Sequence, residues 1–324
     1  MCAFERSEKG MEFNMIINTG MRTDIPAFYS KWLLNRIKEG FVCVRNPFNE
    51  HQVTRYSLNP EVVDCLAFCT KNPHPLISHL SELDMYKQFW FVTITPYGKD
   101  IEPNVPDKKQ VIDDFKKLSE HLGVNSVALR YDPILINDKF DVDMHIKCFD
   151  KLLSQLKGYT SDCTISFLDL YEKVKRNAPD LRPPNNEEQI RIAKAFAEIG
   201  KKNNIVIHSC CENKALEKYG LDITGCMSQE VVEKAIGNKI MPPKNNSKRE
   251  ECNCLMGNDV GAYNTCMHLC KYCYANANSR LVKENIKRHN PASPLLIGDI
   301  EENDKINEAD QKSWIVTGEQ ISFL

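Results

Sequence analysis

Short apolar runs alternate with longer amphipathic stretches through the first two thirds of the chain. The runs fall at 13–18, 41–45, 63–69, 89–95, 126–130, 163–168 and 205–208. Strands of a parallel sheet read this way, because both of their faces are covered. Between the runs, apolar positions return every three or four residues. That period predicts helices over about 27–38, 73–86, 107–121, 142–157, a short one ending at Asn177, and a strongly amphipathic one over 186–202. Asp24 as N-cap, Pro26 in the first turn and Gly40 just past the end frame the first helix. Residues 46–59 read as a loop or hairpin through Val53-Thr54-Arg55-Tyr56. Roughly seven strand–helix units predict an α/β fold, a (β/α) barrel-like domain of TIM type, full or partial, with about seven or eight strands. A doubly wound open sheet is the rival, but the first strand-to-helix turn carries no dinucleotide glycine fingerprint.

The texture changes after the barrel-like part. Three regions are expected: the (β/α) body over 13–225, a cysteine-rich extension over 226–290, and a tail over 291–324 that docks through Trp314, Ile315, Phe323 and Leu324. The extension contains a short helix near 228–236, a basic segment over 241–249 that reads as a solvated linker, and a polar helix ending near Lys287. In a (β/α) barrel the strand ends converge on the mouth where active sites sit. Here they carry Arg22/Thr23/Asp24, Arg45/Asn46, Thr70/Lys71/Asn72, Thr95, Arg130/Tyr131/Asp132, Asp169 and His208/Cys210/Glu212. Any one polar loop is explained by solvent and helix capping. A ring of this mixture points to a pocket. Arg130 and Asp132 suit gripping an anion and an amine or hydroxyl, and Asp24 and Glu212 complete the candidate catalytic or substrate-binding set.

Composition narrows the classes. With 42 Lys and Arg against 44 Asp and Glu, the net charge is −2, so the whole molecule offers no electrostatic case for nucleic acid or an anionic membrane. The apolar runs are too short to span a bilayer. The first residues lack the apolar core of a signal peptide. Together with 14 cysteines this predicts a cytoplasmic protein whose thiols are metal ligands or buried hydrophobes. Cys43, Cys65, Cys69 and Cys163 sit in strand-like runs and read as core.

Cys266, Cys270 and Cys273 differ. They stand in Cys266-Met267-His268-Leu269-Cys270-Lys271-Tyr272-Cys273, at C-x-x-x-C-x-x-C spacing with an aromatic before the third. A short loop with three thiolates wraps one metal centre, and a [4Fe–4S] cluster is held by cysteine thiolates. Three ligands for four irons leave one iron open, which separates a reactive site from a closed structural one. A zinc knuckle or a group of buried thiols is the competing reading. Cys210, Cys226, Cys252 and Cys254 form a second set that would close a fully ligated zinc site or auxiliary iron–sulfur cluster; unmetallated thiols explain them equally well.

The three-cysteine motif resembles the cluster motif of radical S-adenosylmethionine (SAM) enzymes. The wider chain resembles an uncharacterised prokaryotic family, catalogued as a domain of unknown function, with a similar C-terminal cysteine cluster. Matching stretches include Arg22-Thr23-Asp24-Ile25-Pro26, Thr70-Lys71-Asn72-Pro73, Thr95-Pro96-Tyr97-Gly98, Arg130-Tyr131-Asp132-Pro133, Ser166-Phe167-Leu168-Asp169 and 266–276. The Thr-Lys-Asn-Pro stretch and the Pro-rich loop after Thr95 weakly resemble the spore photoproduct lyase branch. The resemblance implies that Cys266, Cys270 and Cys273 hold three irons and that the open iron takes the amine and carboxylate of SAM. It further implies reductive cleavage of SAM to a 5′-deoxyadenosyl radical that abstracts hydrogen from an unknown substrate, with Tyr272 near the adenine and a ferredoxin or flavodoxin as electron donor. Two departures stand out. In radical SAM enzymes the motif follows the first barrel strand, whereas here it follows the barrel, and no Gly-Gly-Glu-type stretch follows the second strand. The alternatives are an iron–sulfur or zinc protein without SAM chemistry, serving electron transfer, hydrolysis or redox sensing, and a nucleic-acid binding or repair protein with a local basic groove.

Overall fold

A computed structural model describes residues 15–210, 212–243, 254–255 and 257–316. In chain order its elements are β1 (Ile16–Asn18), α1 (Ile25–Phe28), α2 (Ser30–Glu39), β2 (Phe41–Asn46), β3 (Asn49–Ser57), β4 (Cys65–Thr70), α3 (His74–Ile77), β5 (Gln88–Thr93), α4 (Lys108–Leu122), β6 (Val127–Ile134), α5 (Val142–Leu156), β7 (Asp162–Phe167), α6 (Glu172–Asn177), α7 (Asn186–Asn203), β8 (Val206–Ser209), α8 (Gln229–Ile236), β9 (Asn258–Asp259), α9 (Ser279–Lys287) and β10 (Lys305–Glu308).

Seven strands form one parallel sheet in the order β8-β7-β6-β5-β4-β1-β9. From β1 to β8 spatial neighbours follow chain order, as in a (β/α) barrel, so the α/β class and the parallel sheet are as expected. Closure is not: β8 and β9 are the outer strands, and among the described residues no ladder joins them. Two further expectations are corrected. The run at 41–45 is no barrel strand; it pairs with β3 and, through it, β10 in a separate three-stranded sheet. The single helix expected over 73–86 is instead α3 followed by a 3₁₀ turn at Leu80–Leu83, the break falling at the polar pair Ser78-His79.

Burial explains why the main strands read as unbroken apolar runs. Every residue of β5 and β7 is buried. One face of the sheet, with Leu66, Phe68, Trp90, Val92, Leu129 and Ile165, packs on Trp32, Phe115, Phe149 and Phe196 of α2, α4, α5 and α7. Phe149 and Phe196 stack at 3.7 Å, clamping α5 to α7. The opposite face, with Ile16, Ala67, Phe89, Phe91 and Ala128, is covered by Val231, Val232 and Ile236 of α8 and by Cys210, Cys226, Cys254 and Leu255. Trp314 and Ile315 pack on this second cluster, as expected of the tail, while Phe323 and Leu324 lie outside the described residues. Among the described residues, no helix is long and apolar enough to cross a membrane.

Candidate metal centre at the strand ends

The loop carrying Cys266, Cys270 and Cys273 folds back over the C-terminal ends of β1, β4, β6 and β7. All three cysteines line one cavity of about 120 Å³ with Thr23, Asp24, Thr70, Lys71, Asp132, Ser166 and Tyr274. The loop is built to turn sharply. Asn264 and Leu269 adopt positive φ of 58° and 54°, a conformation that non-glycine residues keep only where their surroundings impose it. Asn264 N–H donates to the Ala275 carbonyl at 2.9 Å, closing the base of the loop. Asn276 Nδ2 reaches the Cys266 carbonyl at 2.7 Å, and Ala275 N–H points at Cys273 Sγ at 3.3 Å.

Asp24 is the anchor beneath the loop. Its carboxylate caps α1 through Ala27 N–H at 3.0 Å and accepts from Thr70 Oγ1 at 2.7 Å and Lys71 N–H at 2.8 Å. It also meets His268 Nε2 at 2.8 Å. One side chain thus joins α1, the end of β4 and the cysteine loop. Glu102 is the second anchor. It accepts from Thr95 Oγ1 at 2.8 Å, from Lys71 Nζ at 2.9 Å, and from Lys108 Nζ and the Tyr272 hydroxyl. Burial alone would raise the Glu102 carboxyl; the Lys71 and Lys108 ammoniums and the hydrogen bonds override it, holding it down to about 2. Tyr272 lines the cavity, its hydroxyl donating to Glu102, and Tyr97 meets its ring edge-on at 6.1 Å. Tyr274 donates to the Met21 carbonyl, and Lys173 holds the Tyr274 and Asn276 carbonyls from the β7 side.

The other expected site residues are distributed unevenly. Asp132 lines the cavity, its carboxylate held by Arg130 at 2.6 Å and by the Ser166 hydroxyl. Arg130 itself faces a different, inner cavity shared with Cys69, Cys210, Cys226 and Cys254. Glu212 accepts from Phe167 N–H at 2.7 Å and does not line the first cavity; burial pushes its carboxyl up to about 8. Cys210, Cys226 and Cys254 are brought together, and Cys252 lies outside the described residues. Lys71 belongs to the strand-end ring read from the sequence, whereas Glu102, Ser166 and His268 are not singled out there. His268 lies inside the motif and so had a signal; Glu102 sits in an aperiodic loop and had none.

Two observations bear on whether this loop suits a bound group. Thr23 Oγ1, on the cavity wall, is buried and has no hydrogen-bond partner among the described residues, the mark of a polar group facing a missing ligand. Burial pushes the thiols of Cys266 and Cys270 up, neighbouring thiols and carboxylates add to this, and Lys71 opposes it at Cys270; a metal bound among them would shift both toward thiolate. As the chain stands, no described group of three or more His, Cys, Asp or Glu side chains is arranged to hold a metal ion. Three thiols and one N–H aimed at a sulfur are donors of the kind that hold an iron–sulfur cluster.

A second cavity of about 580 Å³ lies beyond Tyr274 and Ala275, lined by Arg22, Arg45, Lys173, Arg176 and Arg288. Asp259 pairs with Arg22, and Asp304 with Arg45 at 2.7 Å.

Among families, the model described as "Domain of unknown function (DUF1848)" matches residues 16–275. No curated protein matches the chain. Among solved structures, the EAL domain of FimX from Xanthomonas citri, in complex with c-diGMP, is similar at 11% identity over 60% of this chain and 89% of that one. Its TM-score is 0.22, which carries no argument.

Proposed function

The chain belongs to the DUF1848 family, and we propose, from the cysteine loop and its cavity, that it is a radical SAM-like iron–sulfur enzyme with its reactive centre at the strand ends. The observation that carries the reading is the placement of Cys266, Cys270 and Cys273 on one cavity with Thr23, Asp132 and Ser166. In this reading the three thiols are the ligands of a [4Fe–4S] cluster, which when bound supplies an electron and an open iron for SAM. Asp24 and Glu102 position the cysteine loop. Asp132 and Ser166 offer anionic and hydroxyl partners to whatever enters opposite the thiols. Glu212, whose carboxyl burial pushes up to about 8, accepts from Phe167 N–H outside this cavity and takes no step in this reading. The division into body, cysteine-bearing extension and tail is retained as a functional one. A small-molecule substrate and a ferredoxin- or flavodoxin-type electron donor, in a cytoplasmic setting, belong to the same proposal.

The test uses full-length protein prepared and reconstituted without oxygen. Iron and sulfide in the wild type and their loss in Cys270→Ala are expected, as is formation of 5′-deoxyadenosine from SAM under a strong reductant. An intact, reduced cluster that leaves SAM untouched sinks the SAM part and leaves the cluster.

A second reading, a cluster protein without SAM chemistry, is favoured by space. The cavity at the thiols is about 120 Å³, below the 300–1,000 Å³ usual for small-molecule sites. The basic cavity beside it is the local feature that a nucleic-acid reading requires; binding that does not weaken with salt would count against that reading.

A further inference from the structure

On the inner face of the sheet a second group of thiols meets, away from the 266–273 loop. Cys210 follows β8, Cys226 precedes α8, and Cys254 precedes β9. Cys226 Sγ lies 3.5 Å from Cys210 Sγ and 3.4 Å from Cys254 Sγ. All three are buried. Met227 N–H donates to Cys254 Sγ at 3.4 Å. With Cys69 they line one cavity of about 60 Å³, otherwise walled by apolar groups such as Ala67, Phe68 and Phe91, together with Asn18 and the Arg130 side chain.

Buried cysteines ordinarily act as small hydrophobes, and nothing in that role gathers sulfurs from three remote segments onto each other. The contacts are far too long for a disulfide, whose sulfurs stand about 2.05 Å apart. They come near the ~3.8 Å that separates thiolates sharing one tetrahedral zinc at Zn–S distances of about 2.3 Å. A backbone N–H donates to one sulfur and a buried guanidinium lines the same cavity, while the Cys210 contact and burial hold the Cys226 thiol up.

We propose that Cys210, Cys226 and Cys254 form a second thiolate site, for a thiophilic metal. The thiols touch one another rather than surround an ion, and the adjoining cavity, which Cys69 also lines, is the space an ion would take. The site ties the end of β8 to the entrances of α8 and β9, and β8 and β9 are the outer strands of the sheet. Its cavity shares Gly20, Met21, Cys69 and Tyr274 with the first, so the two centres sit back to back. A zinc ion there is structural; an iron–sulfur cluster relays electrons. The proposal does not depend on SAM chemistry, nor on whether the first loop binds a cluster.

Full-length Cys266→Ala/Cys270→Ala/Cys273→Ala protein, purified without oxygen from cells supplied with iron and zinc, is the test material. It is expected to retain about one metal centre per chain, and adding Cys226→Ser to remove it. Iron with acid-labile sulfide identifies a cluster and zinc without sulfide an ion; either supports the site. Should the Cys226→Ser variant fail to fold, cobalt(II) titrated into the metal-stripped triple variant is expected to give a thiolate-to-cobalt charge-transfer band. A folded triple variant that carries no metal and gives no such band overturns the proposal, as does metal content indifferent to Cys226→Ser.

Discussion

Asp24 and Glu102 do their work as acceptors, each collecting bonds from segments that are otherwise unconnected in sequence. Removing the Asp24 carboxylate strands His268, Lys71 N–H, Thr70 and Ala27 N–H together. Asp24→Ala is therefore expected to cost about 3 kcal/mol in urea unfolding, since buried donors left unpaired are expensive. Asp24→Asn, which keeps one acceptor oxygen, should cost less. Glu102 makes a prediction in pH. Its carboxyl is depressed to about 2 from an ordinary 4.5, so its contribution is present above pH 4.5 and is lost as pH falls from there through 2. The size is about 3 kcal/mol, from the shift at 1.36 kcal/mol per unit. Glu102→Gln should flatten the acid limb of the stability curve between pH 4.5 and 2; an unchanged limb would show that Lys71 and Lys108 do not hold this carboxylate.

Among the elements, β9 decides the most with the fewest residues. Its two residues pair with Ile17 and Asn18 of β1, and Val260 N–H then bonds the Asn18 carbonyl at 2.9 Å. This brings the chain from the inner face to the strand ends, just ahead of the cysteine loop. The approach is close: a Cβ at Gly257 would stand 2.7 Å from the Ile16 carbonyl oxygen and 2.9 Å from Ile16 Cγ2. Gly257→Ala is expected to lower stability by about 1–3 kcal/mol, the usual range for overpacking. It should also weaken metal loading of the 266–273 loop, whereas Gly40→Ala, whose Cβ meets nothing, suffers only the left-handed backbone at φ 75° and should leave metal loading intact. Thermal unfolding beside iron content separates the two effects. By contrast, the α7 boundaries, Asn186–Asn203, fall where the sequence puts them. Asn185 and Glu188 form a reciprocal cap, and the apolar stripe is unbroken.

Over the whole molecule, the thiol-bearing segments are stitched to both faces of the sheet, so metal loading should act on the global fold. Anaerobically loaded protein is expected to melt several degrees above its metal-stripped form, because a group bound only by the native state stabilises it by mass action. Coincident melting of the two forms would mean that neither thiol group is metallated.

How much of this was legible beforehand differs by residue. The strands, the helices with clean caps, and Cys266, Cys270 and Cys273 were legible, since burial on both faces, a 3.6-residue period and thiol spacing are local properties. The run at 41–45 looked like a barrel strand because amphipathic patterning does not say which sheet a strand joins. Arg130 and Asp132 stand two positions apart, so strand alternation puts them on one side as a single gripping pair; the ion pair exists, yet Asp132 lines the outer cavity and Arg130 the inner one. The chain by itself thus determined the α/β class, the parallel strands and the three-thiol loop. Tertiary structure alone decided that the loop lies over the strand ends, that Asp24, Glu102 and His268 hold it there, and that Cys210, Cys226 and Cys254 meet inside. Those facts rest on hydrogen bonds and contacts between residues tens to hundreds of positions apart, whose pairing no local pattern records.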